Sequence, residues 1–373
     1  MSQKVKEEKQ FDVRRRVQQI EGQFEVLRTV MAIGIAMAIV LGIIALVSDS
    51  PLTAIRILLI GPLTNIRQLG NVLVMMIPLT FTGLALTVVF KSQRFNLASD
   101  SAFYLGSLIA VFVSLNSPLP PFLTIIVALI GGMLGGFLLG WIPAVLNRKF
   151  GAGELVTSLM LNYVVGFFVL YVFNNVIRDP NQNTLMSFPL PEGVNLGTMF
   201  KMGRTTIHWG IVIGLVMAVL AYIVMFKTKW GYALRSTGLN ERFARYTGLN
   251  TGLVVLLAQV FGTGIAGLGG AVEMLGNHRT FRWATSPGYG FDGVILATLA
   301  RINPIFIPFA AFFLAYIRIG ADMVNYASDV PAEIISVVQA AIILLIAAQS
   351  FLGKWKQRRI VEATKEAQKG EIA

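Results

Sequence analysis

A set of polar and charged side chains stands isolated within long apolar stretches of the sequence. If those stretches cross a lipid bilayer, each charge near its centre costs several kcal/mol unless it is paired or hydrated. Such groups therefore either line a polar cavity or bind a partner inside the protein. The members of the set are Asn162, Gln259, Glu273, Asp292, Arg318, Asp322, Asn325, Glu333 and Gln339.

Both interpretations remain open for the most interesting of these residues. Glu273 and Arg279 are close enough in sequence to form a neutralised pair, and Arg318 precedes Asp322 by one helical turn. A paired charge would be a structural group, whereas an unpaired one would be available to a solute. The candidates for lining a pathway are Asn162, Glu273, Asp292 and Asn325.

Several kinds of catalytic site are excluded by the residue types present. The sequence has no cysteine and only 2 histidines, so thiolate sites, disulfides and histidine metal clusters are not expected. It contains no Gly-x-x-x-x-Gly-Lys-Ser/Thr loop, no Gly-x-Ser-x-Gly elbow and no His-Glu-x-x-His motif. We expect a protein that is not an enzyme, hydrolyses no nucleotide itself and uses no cofactor or metal.

The composition requires membrane-spanning helices to position these side chains. Of the 373 residues, 55% are hydrophobic and 13% are charged, and the mean hydropathy is +0.69, which excludes a soluble globule and a disordered chain. Apolar runs long enough to cross about 30 Å of hydrocarbon recur along the chain. The sequence predicts an all-α polytopic membrane protein with ten transmembrane helices, the eighth short or broken, at 30–47, 72–90, 102–115, 122–146, 155–173, 209–226, 253–275, 290–299, 305–319 and 332–348.

Basic residues set the predicted orientation of these helices. Placing both termini in the cytoplasm puts most of the 31 Lys and Arg residues on the cytoplasmic side. The net charge of +12 therefore marks orientation, and nucleic-acid binding is not expected. The predicted organisation is a cytoplasmic tail at 1–29, a transmembrane domain at 30–350 with an irregular outer loop at 174–208 and an inner loop at 227–252, and a basic cytoplasmic tail at 351–373.

A helix break is predicted next to Asp292. Residues 286–293 include three glycines and a proline, and non-helical backbone at membrane depth is tolerated only where it is buried or lines a cavity. We expect a discontinuous helix that forms the wall of a pathway, with Asp292 capping it or holding a polar contact. A short internal echo links residues 95–98 with residues 281–284, as expected of inverted repeats around a midplane site.

Small residues predict two further features. In the inner loop, Asn240 is placed to cap a short helix and Gly248 to end it. In the fourth and seventh spans, small residues recur one turn apart, which lets helix backbones approach closely in lipid. These two faces are Gly132, Gly136 and Gly140, and Gly262, Ala266 and Gly270.

A set of motifs between residues 60 and 350 carries a family resemblance. They are RFNL at 94–97, ELVTSLMLNY at 154–163, the inner loop at 230–248, GLGGAVE at 267–273, GYGFDG at 288–293 and VPAEIISVVQ at 330–339. In order and spacing they resemble the integral membrane permease subunits of bacterial ABC importers for ribose-type sugars, branched-chain amino acids and nucleosides. The nearest subgroup is the one paired with basic-membrane-protein-type lipoproteins, which resembles nucleoside importers.

The resemblance implies a type II importer-like fold with pseudo-symmetric halves in a bacterial inner membrane. Two permeases, identical or different, would form the pore, with cytoplasmic ATPase subunits docked beneath it. A binding lipoprotein would deliver a nucleoside or simple sugar from outside. The ATPase-coupling residues would be Arg235, Gly238, Asn240, Glu241, Arg245 and Gly248. The expected substrate pathway comprises Asn96, Asn162, Glu273, Phe291, Asp292 and Asn325.

Two segments depart from the pattern of that subgroup. Residues 98–102 are Ala-Ser-Asp-Ser-Ala where Gly-x-Glu-Gly-Gln is usual, and residues 300–303 are Ala-Arg-Ile-Asn where Gly-Arg-Asn-Asn is usual. Both fit a divergent permease, including one half of a heterodimer. A broken helix and midplane polar groups alone would fit an ion-coupled secondary transporter equally well. A membrane enzyme acting on lipid would need a catalytic set, and the sequence shows none.

Overall fold

The computed structural model describes residues 50–327 and, before them, Gly42. Residues 59–320 form one compact unit, and the described residues on either side belong to a second. The candidate site residues lie in the first unit, apart from Asn325. The predicted tails and the predicted spans at 30–47 and 332–348, with Glu333 and Gln339, lie outside the described residues.

The described chain is mainly helical and carries one small antiparallel sheet. A π-helical turn, Phe173–Ile177, extends α5, and a 3-10 turn, Pro304–Phe306, precedes α11. The elements are α1 (Pro51–Thr64), α2 (Ile66–Lys91), α3 (Ser99–Asn116), α4 (Pro121–Phe150), α5 (Glu154–Val172), β1 (Thr198–Met202), β2 (Thr205–His208), α6 (Gly210–Lys227), α7 (Lys229–Leu239), α8 (Glu241–Tyr246), α9 (Thr251–Asn277), α10 (Tyr289–Leu299) and α11 (Ile307–Ala327).

Seven helices in the described part of the chain are long and apolar enough to cross a membrane. They coincide with seven of the ten predicted spans, and the total of ten and the orientation of the termini stay predictions. The predicted eighth span is the 11-residue helix α10, which at 1.5 Å per residue is about 16 Å long and too short to cross. The 14-residue helix α1 was not predicted.

Helix α9 occupies the centre of the unit and packs against α2, α3 and α4. The peripheral helix α5 is much less buried than the inner helix α2. In the most apolar window of α2, 89% of residues are buried, whereas in that of α5, with its π turn, only 17% are. The exposed face of α5 is apolar throughout, with Phe167 and Tyr171 at its surface, as expected of a helix that faces lipid or another apolar partner.

Glycines bring the central helices into backbone contact, as predicted. A Cβ at Gly136 would overlap the backbone at Thr263, and a Cβ at Gly132 would lie 2.7 Å from Cβ of Ala271. The predicted small-residue face of α9 packs against two other helices, because Gly262 contacts α2 and Gly270 contacts the carbonyl of Phe103 in α3. Three helices surround α9, so small residues are needed on several of its faces.

The outer loop contains a β-hairpin where irregular chain with short interfacial helices was predicted. Strands β1 and β2 pair in antiparallel register, and Gly203 turns between them with φ +62°. The hairpin lies against the start of α2, where Thr205 Oγ1 donates to Asn71 Oδ1 at 2.7 Å. The β-branched run at 205–207 favours a strand, a signal that the prolines and glycines of the loop obscured.

Candidate functional site

The first element of the site is the non-helical segment 92–98, which joins α2 to α3. Asn96 is fully buried within it. Its Oδ1 accepts a hydrogen bond from the amide of Ala98 at 2.9 Å, and its Nδ2 donates to Gln259 Oε1 at 2.9 Å. Asn96 therefore fixes the shape of this loop and ties it to α9. We call residues 92–98 the Asn96 loop.

Helix α5 holds the same loop from the other side. The amide of Leu97 donates to Ser158 Oγ, and Asn162 Nδ2 donates to the carbonyl of Leu97, both at 3.1 Å. Asn162 Oδ1 is buried and has no hydrogen-bond partner among the described residues. The structure thus brings Asn96 and Asn162 together, and most of their polar atoms bind protein.

The second element is the start of α10, which follows the non-helical segment 278–288. Gly288 has φ +80°, and a Cβ at Gly290 would overlap the backbone of Asp100. The amide of Gly290 donates to Asp100 Oδ1 at 3.1 Å. The carboxylate of Asp100 therefore caps α10 from another helix, at a position where the sequence departs from the usual family pattern.

Asp292 holds a polar contact beside this break, one of the two roles predicted for it. Its Oδ1 lies 2.5 Å from Nη2 of Arg318 in α11, and both side chains are largely buried. Asp100, and not Asp292 as predicted, caps α10. The start of α10 lies close enough to α3 for Asp100, in the first turn of α3, to accept from the amide of Gly290. Arg318 thus binds Asp292, and its pairing with Asp322, one of the alternatives from the sequence, stays a prediction.

Aromatic side chains connect the two segments of the sequence echo. Tyr104 donates from its hydroxyl to the carbonyl of Trp283 at 2.7 Å and stacks on Phe281 with ring centroids 5.9 Å apart. Phe103 meets Tyr289 edge to face at 5.3 Å. The helices that follow residues 95–98 and 281–284 therefore contact each other through their first turns.

Glu273 lies at the other end of α9, close to the outer loop. Its Oε1 accepts from Asn277 Nδ2 at 2.9 Å and lies 3.4 Å from Nε2 of His278. Its neighbour is therefore His278 and not Arg279, the pairing that the sequence left open. A cavity of about 560 Å³ is lined nearby by His208, Asn277 and His278. Burial lowers the pKa of His208, which keeps that imidazole neutral near pH 7.

The inner loop contains the capped helix that the sequence predicted. Asn240 Oδ1 accepts from the amide of Phe243 at 3.0 Å, and Gly248 has φ +85° just beyond the end of α8. Glu241 lies on this helix between two cations, with Arg94 at 2.7 Å and Arg245 at 3.2 Å. A second helix, α7, precedes it in the loop and was not predicted.

Two of the predicted coupling residues fix α7 to the transmembrane helices. Arg235 Nη1 donates to the carbonyl of Met225 at 3.0 Å, and its guanidinium lies over the ring of Phe226. A Cβ at Gly238 would overlap the carbonyl of Lys91 at the end of α2. Helix α7 is thereby in direct contact with the ends of α2 and α6.

Large apolar side chains are exposed around α8, and the sequence analysis missed them. Leu239 is 89% exposed, Tyr246 91% and Phe243 62%. They lie in a loop otherwise rich in charge, so their hydrophobicity gives no periodic signal. We call Leu239, Phe243 and Tyr246, with the adjoining Glu241 and Arg245, the docking surface, after the ATPase docking that the family resemblance implies for this loop.

The six predicted pathway residues do not converge on one point. Glu273 is 14 residues beyond Gln259 on α9, which corresponds to about 21 Å along the helix. Phe291 is half exposed at the start of α10, and Asn325 is exposed on α11. The sequence analysis left out Arg94 and Asp100 as site residues, although Arg94 directly precedes the Phe-Asn pair of the loop.

Comparison with known proteins identifies the family of this chain. A family model described as a branched-chain amino acid transport system / permease component matches residues 68–347, most of the chain. The chain belongs to this family. The permease is 31% identical to the nucleoside ABC transporter permease protein NupB of Lactococcus lactis, over 87% of this chain and 92% of that one.

Other relatives are named for guanosine or for glucose. The guanosine ABC transporter permease protein NupP of Bacillus subtilis is 29% identical over 80% of this chain and 87% of its own. The glucose ABC transporter permease protein TsgB13 of Haloferax volcanii is 28% identical over 86% of this chain and 87% of its own. The permease is therefore a multi-pass integral membrane transport subunit of the ABC importer type, in keeping with a bacterial inner membrane.

Proposed function

We propose that this permease forms the translocation pathway of an ATP-driven importer for nucleosides. The observation that carries the proposal is similarity along nearly the whole chain to permeases named for nucleosides and guanosine. An importer of this kind needs cytoplasmic ATPase subunits, a second permease subunit and an extracytoplasmic binding lipoprotein. Helix α8, with its cap and its exposed apolar residues, is the surface that we assign to the ATPase.

The chemistry of the candidate pathway favours a neutral, partly aromatic solute. Asp292, the buried charge beside the helix break, is paired with Arg318, so it is not left for a charged substrate. Phe291 is half exposed beside the paired Asp292. A nucleoside offers a base that stacks on an aromatic ring and ribose hydroxyls that bind amides.

A simple sugar is the second candidate, favoured by the glucose permease relative. The same amide groups suit its hydroxyls, but a sugar has no base to stack on Phe291. Phe291→Leu keeps an apolar side chain and removes the stacking partner. For a nucleoside importer this substitution should slow uptake, and for a sugar importer it should have little effect.

Uptake assays on cells that express the complete transporter test the proposal. We expect labelled guanosine or uridine to accumulate, to be displaced by unlabelled nucleosides and to require ATP hydrolysis. The control is the same transporter with an inactive ATPase subunit. Competition by glucose alone would replace the nucleoside assignment with the sugar one. Uptake driven by membrane potential in ATP-depleted vesicles would overturn the ATP-driven mechanism.

A further inference from the structure

A single arginine lies between the docking surface and the interior of the permease. Arg94 Nη2 is 2.7 Å from Oε2 of Glu241 in α8, and its Nη1 is 3.8 Å from Oε1 of Glu154 at the start of α5. The first distance is that of a direct charge-assisted hydrogen bond, and the second is beyond hydrogen-bond reach. Arg94 is therefore hydrogen-bonded to Glu241, and a shift of about 1 Å would bring it within hydrogen-bond distance of Glu154.

The contact between Glu154 and Gln259, further inside the protein, is also longer than a normal hydrogen bond. Glu154 Oε1 and Gln259 Nε2 are a buried acceptor and a buried donor, and neither has a hydrogen-bond partner among the described residues. The two side chains are neighbours in a long, weak hydrogen-bonding contact that falls outside normal hydrogen-bond geometry. An unsatisfied buried polar atom is costly, so a small closing movement that satisfies both atoms is favourable.

Beyond Gln259 the contacts are complete. Its Oε1 accepts from Asn96, whose Oδ1 in turn binds the amide of Ala98 at the start of α3. Gln259 is eight residues into α9, about 12 Å along the helix from its first residue. Arg94 thus joins the Asn96 loop to α8, and Glu154 and Gln259 lie between this loop and helices α5 and α9. The two long contacts both involve Glu154.

We propose that Arg94, itself part of the Asn96 loop, is the positioning residue through which movement of α8 reaches that loop, by exchanging Glu241 for Glu154. The inference rests on the proposed docking of an ATPase at α8. Arg245 already lies 3.2 Å from Glu241, so that carboxylate keeps a cation when Arg94 leaves. Helix shifts of about 1 to 2 Å are common in switching proteins, which is the size of movement that this exchange needs.

Hydrogen–deuterium exchange on the complete transporter tests the connection. In the wild type, ATP binding should protect residues 240–247 and change the exchange of residues 92–98. Arg94→Gln should retain the first response and lose the second. Uptake should fall about tenfold, a typical size for a lost coupling, while the ATPase still copurifies and hydrolyses ATP. Arg94→Lys, which keeps the charge, should restore part of both.

Two further variants make the test specific. Lys149→Gln removes a positive charge from the exposed end of α4 without touching this line of contacts and should behave as the wild type. Glu154→Gln should reproduce Arg94→Gln, and the double variant should lose no more than either alone. Additive losses, or an Arg94→Gln variant whose loop still responds, would overturn the inference.

The wild-type response also separates this inference from the proposed function. Protection of α8 without any change in residues 92–98 would reject the role of Arg94 and leave the importer assignment intact. No protection of α8 when the ATPase binds would reject the docking assignment, and the role of Arg94 with it.

Discussion

At the scale of single residues, the polar groups of the transmembrane helices mainly hold the protein's own backbone. Ser158 and Asn162 bind the two polar atoms of the Leu97 peptide units, and Asp100 caps α10. Inside a low-dielectric environment an unpaired backbone group is costly, so wherever a helix is interrupted, side chains must replace its lost hydrogen bonds. The interruption accounts for most polar atoms of the amides near the Asn96 loop, and Asn162 Oδ1 has no hydrogen-bond partner among the described residues.

The pair formed by Asp292 and Arg318 should be important for stability. Asp292→Ala leaves the guanidinium of Arg318 without this carboxylate in a largely buried site, and we expect a loss of about 1 to 3 kcal/mol in the free energy of unfolding. Asp292→Asn keeps an acceptor oxygen and should lose less. Thermal unfolding in mild detergent measures both, with uptake at matched protein levels beside it. Identical melting of Asp292→Ala and wild type would contradict the prediction.

The backbone conformation of Ile302 leads to a second prediction about stability. It adopts φ +53°, a conformation rare for a β-branched side chain, at the place where the family pattern has asparagine. Asn adopts this left-handed backbone more readily than Gln, an amide of similar polarity. We therefore expect Ile302→Asn to be more stable than Ile302→Gln by about 1 kcal/mol in thermal unfolding, although both lose the same apolar contacts. Equal stability would mean that the turn relaxes.

At the scale of elements, the spans were predictable and their interruptions were only partly so. Length and hydropathy are properties of the chain itself, so seven described helices fall where the apolar runs predicted them. The cap at Asn240 is also local, since a side chain binds an amide three residues on. The cap of α10 is not a local feature of the sequence, because Asp100 is 190 residues from Gly290. The hairpin and α7 were missed because polar loops lack apolar periodicity.

The close packing of α9 against α3 leads to a prediction about Gly270. Gly270→Leu places a side chain against the carbonyl of Phe103 and should force α3 away from α9, abolishing uptake with partial loss of assembly. The matched control is Gly166→Leu in α5, where a Cβ meets no atom within 4 Å. Uptake and yield are compared at equal expression. Loss in both variants to the same extent would show that the effect is not one of α9 packing.

At the scale of the whole molecule, the predicted topology is open to direct measurement. The chain contains no cysteine, so single cysteines can be introduced without any background reaction. We expect Thr198→Cys in the hairpin to react with an impermeant maleimide in intact cells. Thr247→Cys beside α8 should react only after the membrane is opened, as the positive-inside rule requires. Labelling of the second residue in intact cells would invert the topology and remove the ATPase assignment.

The glycine contacts of the central helices also decide where this permease can be made more robust. Replacing glycine by alanine within a helix commonly stabilises a protein, because the unfolded chain loses freedom. That route is closed at Gly106, Gly132 and Gly267, where backbones already touch. It stays open at Gly166, with free space around it, and at Gly214, where a methyl group would meet Phe81 at an ordinary 3.5 Å. Thermostabilisation for purification therefore begins on the peripheral helices α5 and α6, which leaves the packing around α9 as it is.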